Sequence, residues 1–289
     1  MVRASITALF RRLSADGIRA YDTSFAPADA AFDATDDLHL GAQRVASAMV
    51  RALRLPDARV VVAFRPMEQA ATVELAAGPE YFVEVSDRFR THRRDLAAAL
   101  SHEVTHVLLH RLDLRFPGTG ENEILTDTAA AYLGAGWLLL DAYREDALTH
   151  QKFGYLTPEE FGYVLAKRAA LLGEDPSTWF TSPQAYEAYV RGRALAERDH
   201  RRPPLAAAGT LARRRYAKAR RTGPTPAGGP ADHSADGPAY RFERADPGPG
   251  SGLRVSFPCP VCGQRLRLPV RGRLRARCGL CRTVLDCET

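Results

Sequence analysis

His102-Glu103-Val104-Thr105-His106 and, beginning sixteen residues after His106, Asn122-Glu123-Ile124-Leu125-Thr126-Asp127 are the two stretches on which the reading of this chain turns. The first lies in Arg94 to Leu112, a run of strong helix formers with Leu96, Leu100, Val104, Val107 and Arg111 along one stripe. On a helix, residues four apart project from the same face one turn apart, so both imidazoles can reach one Zn²⁺ ion about 2 Å away. Glu103, one step round, can reach water held at that ion and take its proton as the water attacks a carbonyl. Glu123 and Asp127 repeat the four-residue spacing on a second helix. Its one face offers a third metal ligand and, a turn later, a carboxylate able to hold an imidazole N–H. Ala130, Ala131 and Gly134 continue that face with small residues, which lets this helix lie close to the histidine helix.

Outward from these stretches the order is sheet first and helices after. Leu40 to Leu53 carries apolar residues at helical spacing and is stopped by Leu55-Pro56-Asp57. Arg59 to Phe64, Thr72 to Leu75 and Tyr81 to Val85 are short β-rich runs, the last two joined by the turn-like Ala76-Ala77-Gly78-Pro79-Glu80. They predict a small antiparallel sheet; in the zincin-like folds that the two motifs resemble, Tyr81 to Val85 would be the edge along which an extended peptide adds by backbone hydrogen bonds, and an ordinary core strand is the equal alternative. Further helices are expected from Glu123 to Arg144, from Thr157, where Thr-Pro-Glu-Glu makes a good start, and from near Ser182. The fold class is α+β.

A chain of 289 residues, 45% hydrophobic and 26% charged, suits one catalytic-sized domain and a smaller module, and excludes a wholly disordered or fibrous protein. Its longest nearly unbroken apolar run, Ala129 to Leu140, falls short of the ~20 residues of a membrane helix. The opening MVRASITALFRR has too short an apolar stretch for a signal-peptide core, so a cytoplasmic protein without membrane contact is expected. Residues 1–198 hold 22 basic and 27 acidic groups, residues 199–250 hold 10 and 5, and residues 251–289 hold 8 and 2. The expected division is therefore a domain carrying the His/Glu zinc-hydrolase pattern over 1–198, a flexible Pro/Gly/Arg-rich linker over 199–250, and a basic module over 251–289. Within the linker, 15 of the 50 residues from Arg201 to Gly250 are Pro or Gly, and Leu211 to Arg221 reads as a solvated charge run or a short basic helix.

All five cysteines lie between Cys259 and Cys287. Cys259, Cys262, Cys278 and Cys281 form two Cys-x-x-Cys pairs fifteen residues apart, enough to close a tetrahedral structural zinc site, and Leu266 to Val270 and Leu274 to Arg277 alternate like hairpin strands. The pattern resembles a zinc ribbon. Its eight arginines suit a protein partner or nucleic acid. Cys287 is left over as a free thiol.

HEVTH followed by NEILTD resembles the gluzincin metallopeptidases, whose thermolysin-like members carry HExxH and then NExxSD on the next helix. The resemblance covers His102 to Asp127 and implies a zincin-like domain in which His102, His106 and Glu123 hold a catalytic zinc, Glu103 is the general base and Asp127 is the partner of His102. Thr126 stands where that family has serine, and the step from His106 to Glu123 is shorter than usual. The His and Tyr that stabilise the oxyanion there have no motif here; His150, Tyr155 and Tyr163 are the downstream residues of those types, with packing or surface roles the ordinary alternative. HEVTHVLLH followed by a glutamate on an Ala-rich helix also resembles the ImmA/IrrE regulatory peptidases, with the same ligand assignment and a particular protein as substrate. His110 is too far along the axis to share the metal easily. Beside a peptide or protein substrate stand two other readings: a polar network without metal, and a non-catalytic binding regulator with two structural zincs.

Overall fold

In the computed structural model, which describes residues 1–31, 35–145, 150–223, 239–244 and 252–289, the chain opens with helix α1, Val2–Arg19. Ile6, Leu9, Phe10 and Ile18 bury one face of α1 although Ser14, at φ 67° and ψ 171°, bends it. The one-turn α2, Pro27–Ala30, and α3, Leu38–Ala52, follow. α3 starts where it does because the Asp37 carboxylate accepts from the His39 and Leu40 amides, supplying partners the first helical turn lacks.

Strands β1, Arg59–Arg65, β2, Ala71–Glu74, and β3, Glu80–Ser86, form the sheet at the expected places. Its topology is a correction. The order is β1-β3-β2, with β1 parallel to β3 and only β2 antiparallel to it. The tight β2–β3 connection fixes the antiparallel pair, so β1 joins on the other side of β3 and α3 packs against it. Tyr81 to Val85 is thus the central strand, and Tyr81, Val83 and Val85 are buried because neighbours flank it on both sides. The free edge beside the histidine helix is β2.

Helix α4, Leu96–Arg111, carries the two histidines, and α5, Thr119–Leu133, carries Glu123 and Asp127. The single helix expected over Glu123 to Arg144 is broken. Gly134 takes a left-handed conformation, φ 106°, and caps α5; α6, Trp137–Asp141, is a separate short helix. A Cβ on Gly136 would stand 2.5 Å from Ala131 backbone, so the chain turns where only glycine fits. The two-residue strands β4, Arg144–Glu145, and β5, His150–Gln151, come next; Arg144 and Gln151 both donate to the Asp95 carboxylate just ahead of α4. α7, Pro158–Leu172, begins with a reciprocal Thr157–Glu160 cap. It crosses α8, Pro183–His200, at Gly162 and Gly192, where a Cβ on Gly192 would meet Gly162 backbone at 2.2 Å. Arg168 of α7 is 2% exposed and joins three segments by donating to Tyr21 and Tyr132 carbonyls, the Ser24 hydroxyl and the Glu174 carboxylate.

The described residues group into two compact units, Met1–Ala194 and Leu195–Thr289. The second contains α9, Thr210–Thr222, and strands β6, Arg241–Arg244, β7, Leu253–Pro258, β8, Arg265–Pro269, β9, Arg273–Arg277, and β10, Val284–Glu288. The span expected to be a flexible linker therefore carries a helix and a strand, and its residues 224–238 and 245–250 lie outside the described residues. Tyr216 of α9 and Phe242 of β6 pack on Val255 of β7, while the Ala206 amide donates to Asp286 and the Glu288 amide to Pro204 beside β10. β8 and β9 do not pair with each other: each joins the strand across its own Cys-x-x-Cys turn, giving the sheets β6-β7-β8 and β9-β10. No described helix is long and apolar enough to cross a membrane.

Candidate metal centres

The neighbouring helices α4 and α5 bring His102, His106 and Glu123 together. The Nε2 atoms of His102 and His106 are 3.1 Å apart, and a Glu123 carboxylate oxygen lies 3.1 Å from the first and 3.3 Å from the second. Ligands about 2.0–2.1 Å from the centre of a tetrahedron stand about 3.3–3.4 Å from one another. The three atoms are thus spaced as one face of a tetrahedral metal site, and their N, N, O chemistry suits a borderline divalent cation.

What aims the imidazoles lies behind them. The Nδ1 of His102 is 2.8 Å from an oxygen of Asp127, which is fully buried and whose other oxygen accepts from the Tyr155 and Leu156 amides. With the Asp127 carboxylate accepting from its Nδ1–H, His102 is held with Nε2 turned toward the other ligands, the atom left to bind a cation once its own proton is displaced. Thr126 does the same for His106. Its hydroxyl donates to the Asn122 carbonyl, which leaves its oxygen, 3.2 Å away, to accept from His106 Nδ1–H. This role was missed in the sequence, where Thr126 read only as a replacement for serine; its place next to Asp127 on the ligand helix was the available signal. Asn122 completes the support by pairing with the Phe116 amide and carbonyl, fixing the turn that leads into α5.

Charge follows this geometry. Burial works against a charged His102, but hydrogen bonds to Asp127 and Glu123 outweigh it and push the imidazole up to about 10. Hydrogen bonds from His102 and His106 pull the Glu123 carboxyl down to about 2. Burial pushes the Glu103 carboxyl up, against the pull of His102 and His106. A cation at the centre would take over the positive charge that His102 otherwise carries. Gly154, at φ 78°, lets the chain pass so near Asp127 that a Cβ would meet its carboxylate at 2.5 Å. Next to it, Tyr155 stacks against His102 with ring centroids 6.3 Å apart and remains 57% exposed. Tyr163 instead is buried and accepts from Arg3, His110 is exposed, and the side chain of His150 lies outside the described residues.

The second group is Cys259, Cys262, Cys278 and Cys281, all buried and with sulfurs within 4.8 Å of one another. Cys259–Cys281 and Cys262–Cys278 sulfur pairs stand 3.6 Å apart, close to the about 3.8 Å that tetrahedral bonds of about 2.3 Å require. The two turns are built alike. In each the first cysteine's amide donates five residues on, to Gln264 or Thr283, and its carbonyl accepts from Gly263 or Arg282, both at positive φ. Cys262 is held above the ordinary thiol range and Cys278 below it by hydrogen bonds within the group, a sharing of protons that one cation would replace. Cys287 is buried apart from this group, and burial pushes its thiol up to about 11.

Compared with protein-family models, curated proteins and solved structures, the chain matches none.

Proposed function

We propose that the first unit is a zinc-dependent metallopeptidase of gluzincin type and that the four cysteines hold a structural zinc in a ribbon-like module. The observation that carries the reading is the convergence of two Nε2 atoms and one carboxylate oxygen at 3.1–3.3 Å, with each histidine held from behind by its own acceptor and a buried glutamate one residue along. His102, His106 and Glu123 would hold the catalytic zinc. When bound, such an ion supplies Lewis acidity, lowering the pKa of water toward ~7 and polarising a carbonyl.

The remaining steps belong to the chain's own residues. Glu103 takes the proton from the attacking water and returns it to the leaving amine. Its burial raises its proton affinity and so suits it to both transfers. Asp127 and Thr126 keep the two imidazoles turned toward the centre as charge develops. The exposed phenol of Tyr155, whose ring lies against His102, is the residue suited to donate to the oxyanion. An extended substrate would pair with the open edge of β2, which packs on α4.

The test is cleavage of a mixed peptide library by the full chain, read by mass spectrometry. Wild-type protein should cut and a zinc chelator should stop it. Glu103→Gln should keep its zinc while losing ~10²–10⁴ of the rate, the range general base catalysis contributes. Equal cutting by Glu103→Gln would remove the proposed base, and a failure of zinc-loaded wild type to cut any peptide or protein offered would favour a binding role for the site.

A further inference from the structure

Three of the eight arginines of the cysteine module are held by partners within its unit. Arg267 pairs with Glu243 at 3.1 Å, Arg275 with Asp286 at 3.4 Å, and Arg265 donates to the Ser256 hydroxyl at 3.0 Å. Helix α9 concentrates its cations on one short element. Across its 13 residues it carries Arg213, Arg214, Arg215, Lys218, Arg220 and Arg221 and no acidic residue. Tyr216 is its one buried residue, with ring centroids 4.8 Å from Tyr240 and 5.2 Å from Phe242. Arg213, bound to Glu288 at 3.0 Å and to the Ala206 carbonyl, and Arg220, donating to the Thr289 carbonyl at 3.1 Å, hold the helix down.

Helical geometry sorts the other four. At about 100° per residue, Arg214, Lys218 and Arg221 fall on one stripe about 60° wide, Arg215 borders it, and Tyr216 stands on the opposite side. All four are exposed, and no described carboxylate pairs with them. Like charges at this spacing weaken a helix by a few tenths of a kcal/mol per pair, so the stripe is held in place by the Tyr216 anchor against its own repulsion. Arg214 to Arg221 spans about 10.5 Å along the axis, about three phosphate steps of 3.4 Å on one strand of a duplex, which are bounded by four phosphates.

We infer that the outward stripe of α9, Arg214, Arg215, Lys218 and Arg221, is a docking surface for the phosphate backbone of duplex nucleic acid. Leu211 is the one large apolar side chain exposed on this helix, too little to insert into a bilayer or to form the apolar centre of a protein interface. Stacking on single-stranded bases needs an exposed aromatic ring, and α9's Tyr216 is buried. Contact through cations alone reads charge and shape, so binding is independent of sequence.

The test is fluorescence anisotropy of the full-length, zinc-loaded chain with a short mixed-sequence duplex DNA, beside duplex RNA, single-stranded DNA, polyglutamate and phosphatidylserine vesicles. Four phosphate contacts predict a slope of log K against log salt of about −3.6, an affinity about 150-fold weaker at 200 than at 50 mM salt. The variant Arg214→Gln/Arg215→Gln/Lys218→Gln/Arg221→Gln should bind at least ~100-fold more weakly at 50 mM, with the slope near zero. It should keep its cysteine-held metal and melt no earlier than wild type, which separates lost binding from lost folding. Arg265→Gln/Arg267→Gln/Arg275→Gln should bind as wild type does. Absence of duplex binding overturns the inference. So does wild-type affinity in the α9 variant, an equal loss in the strand variant, or preferential binding to single strands, polyglutamate or vesicles. None of these outcomes depends on Glu103 or on peptide cleavage.

Discussion

Asp127 joins two jobs in one buried carboxylate: one oxygen fixes the ring of His102, and the other accepts the amides of Tyr155 and Leu156. Replacing it by Asn puts an NH₂ where at least one of these N–H donors already points. Asp127→Asn should therefore lower metal affinity by ~10–100-fold in a chelator competition, the range found when the acceptor behind a ligating histidine is lost. Unchanged affinity would show that His102 is aimed by packing alone. The same residues set a pH window in protein stripped of metal. His102 is raised from 6.5 to about 10, so its ion pairs stabilise fully below pH 6.5 and are lost as pH climbs toward 10. Glu123 is lowered from 4.5 to about 2, so the same pairs need pH above 4.5 and are lost as pH falls toward 2. The urea midpoint of stripped protein should be highest between pH 4.5 and 6.5 and fall on both sides. A midpoint still rising from pH 7 to 10 would contradict the buried imidazolium.

At the level of elements, three glycines, one at the α7–α8 crossing and two at helix ends, give a graded series. Gly192→Ala forces a methyl into Gly162 backbone and should cost 1–3 kcal/mol or more, as overpacking does. Gly173→Ala meets no atom but keeps φ 81°, and should cost about 1 kcal/mol. Gly209→Ala has both room and an ordinary φ, but Gly209 caps the start of α9, where glycine is preferred to alanine, and should cost about 0.5 kcal/mol. An equal loss at all three positions would mean the crossing is not close-packed. The same contrast explains what could be read from the sequence. α4 and the capped start of α7 were legible because helix formers and a Thr-x-x-Glu box act locally. The end of α5 was not, because Gly134 and Gly136 turn the chain in answer to Ser24, Arg168 and Ala131, contacts no local pattern reveals. The strands were placed and their pairing was not: whether β1 lies parallel to β3 is decided between segments. In the site, the ligand spacing was visible in the letters, whereas the partnership of Thr126 with His106 needed two helices side by side.

For the molecule as a whole, the two candidate metal groups belong to different units, His102, His106 and Glu123 to the first and the four cysteines to the second. Elemental analysis should find two metal ions per chain, one after His102→Ala/His106→Ala and one after Cys259→Ser/Cys278→Ser. The cysteine variant should in addition expose residues 253–288 to limited proteolysis, since so small a module buries too little apolar surface to hold together without its ion. One ion in wild type, lost with the cysteines, would leave the histidine helix as a polar network. Every cysteine of the chain is buried, Cys287 included. A thiol-reactive dye should therefore stay colourless on the folded chain, and the slow appearance of colour would serve as a built-in clock for the opening of the C-terminal module, with no label to attach and no residue to change.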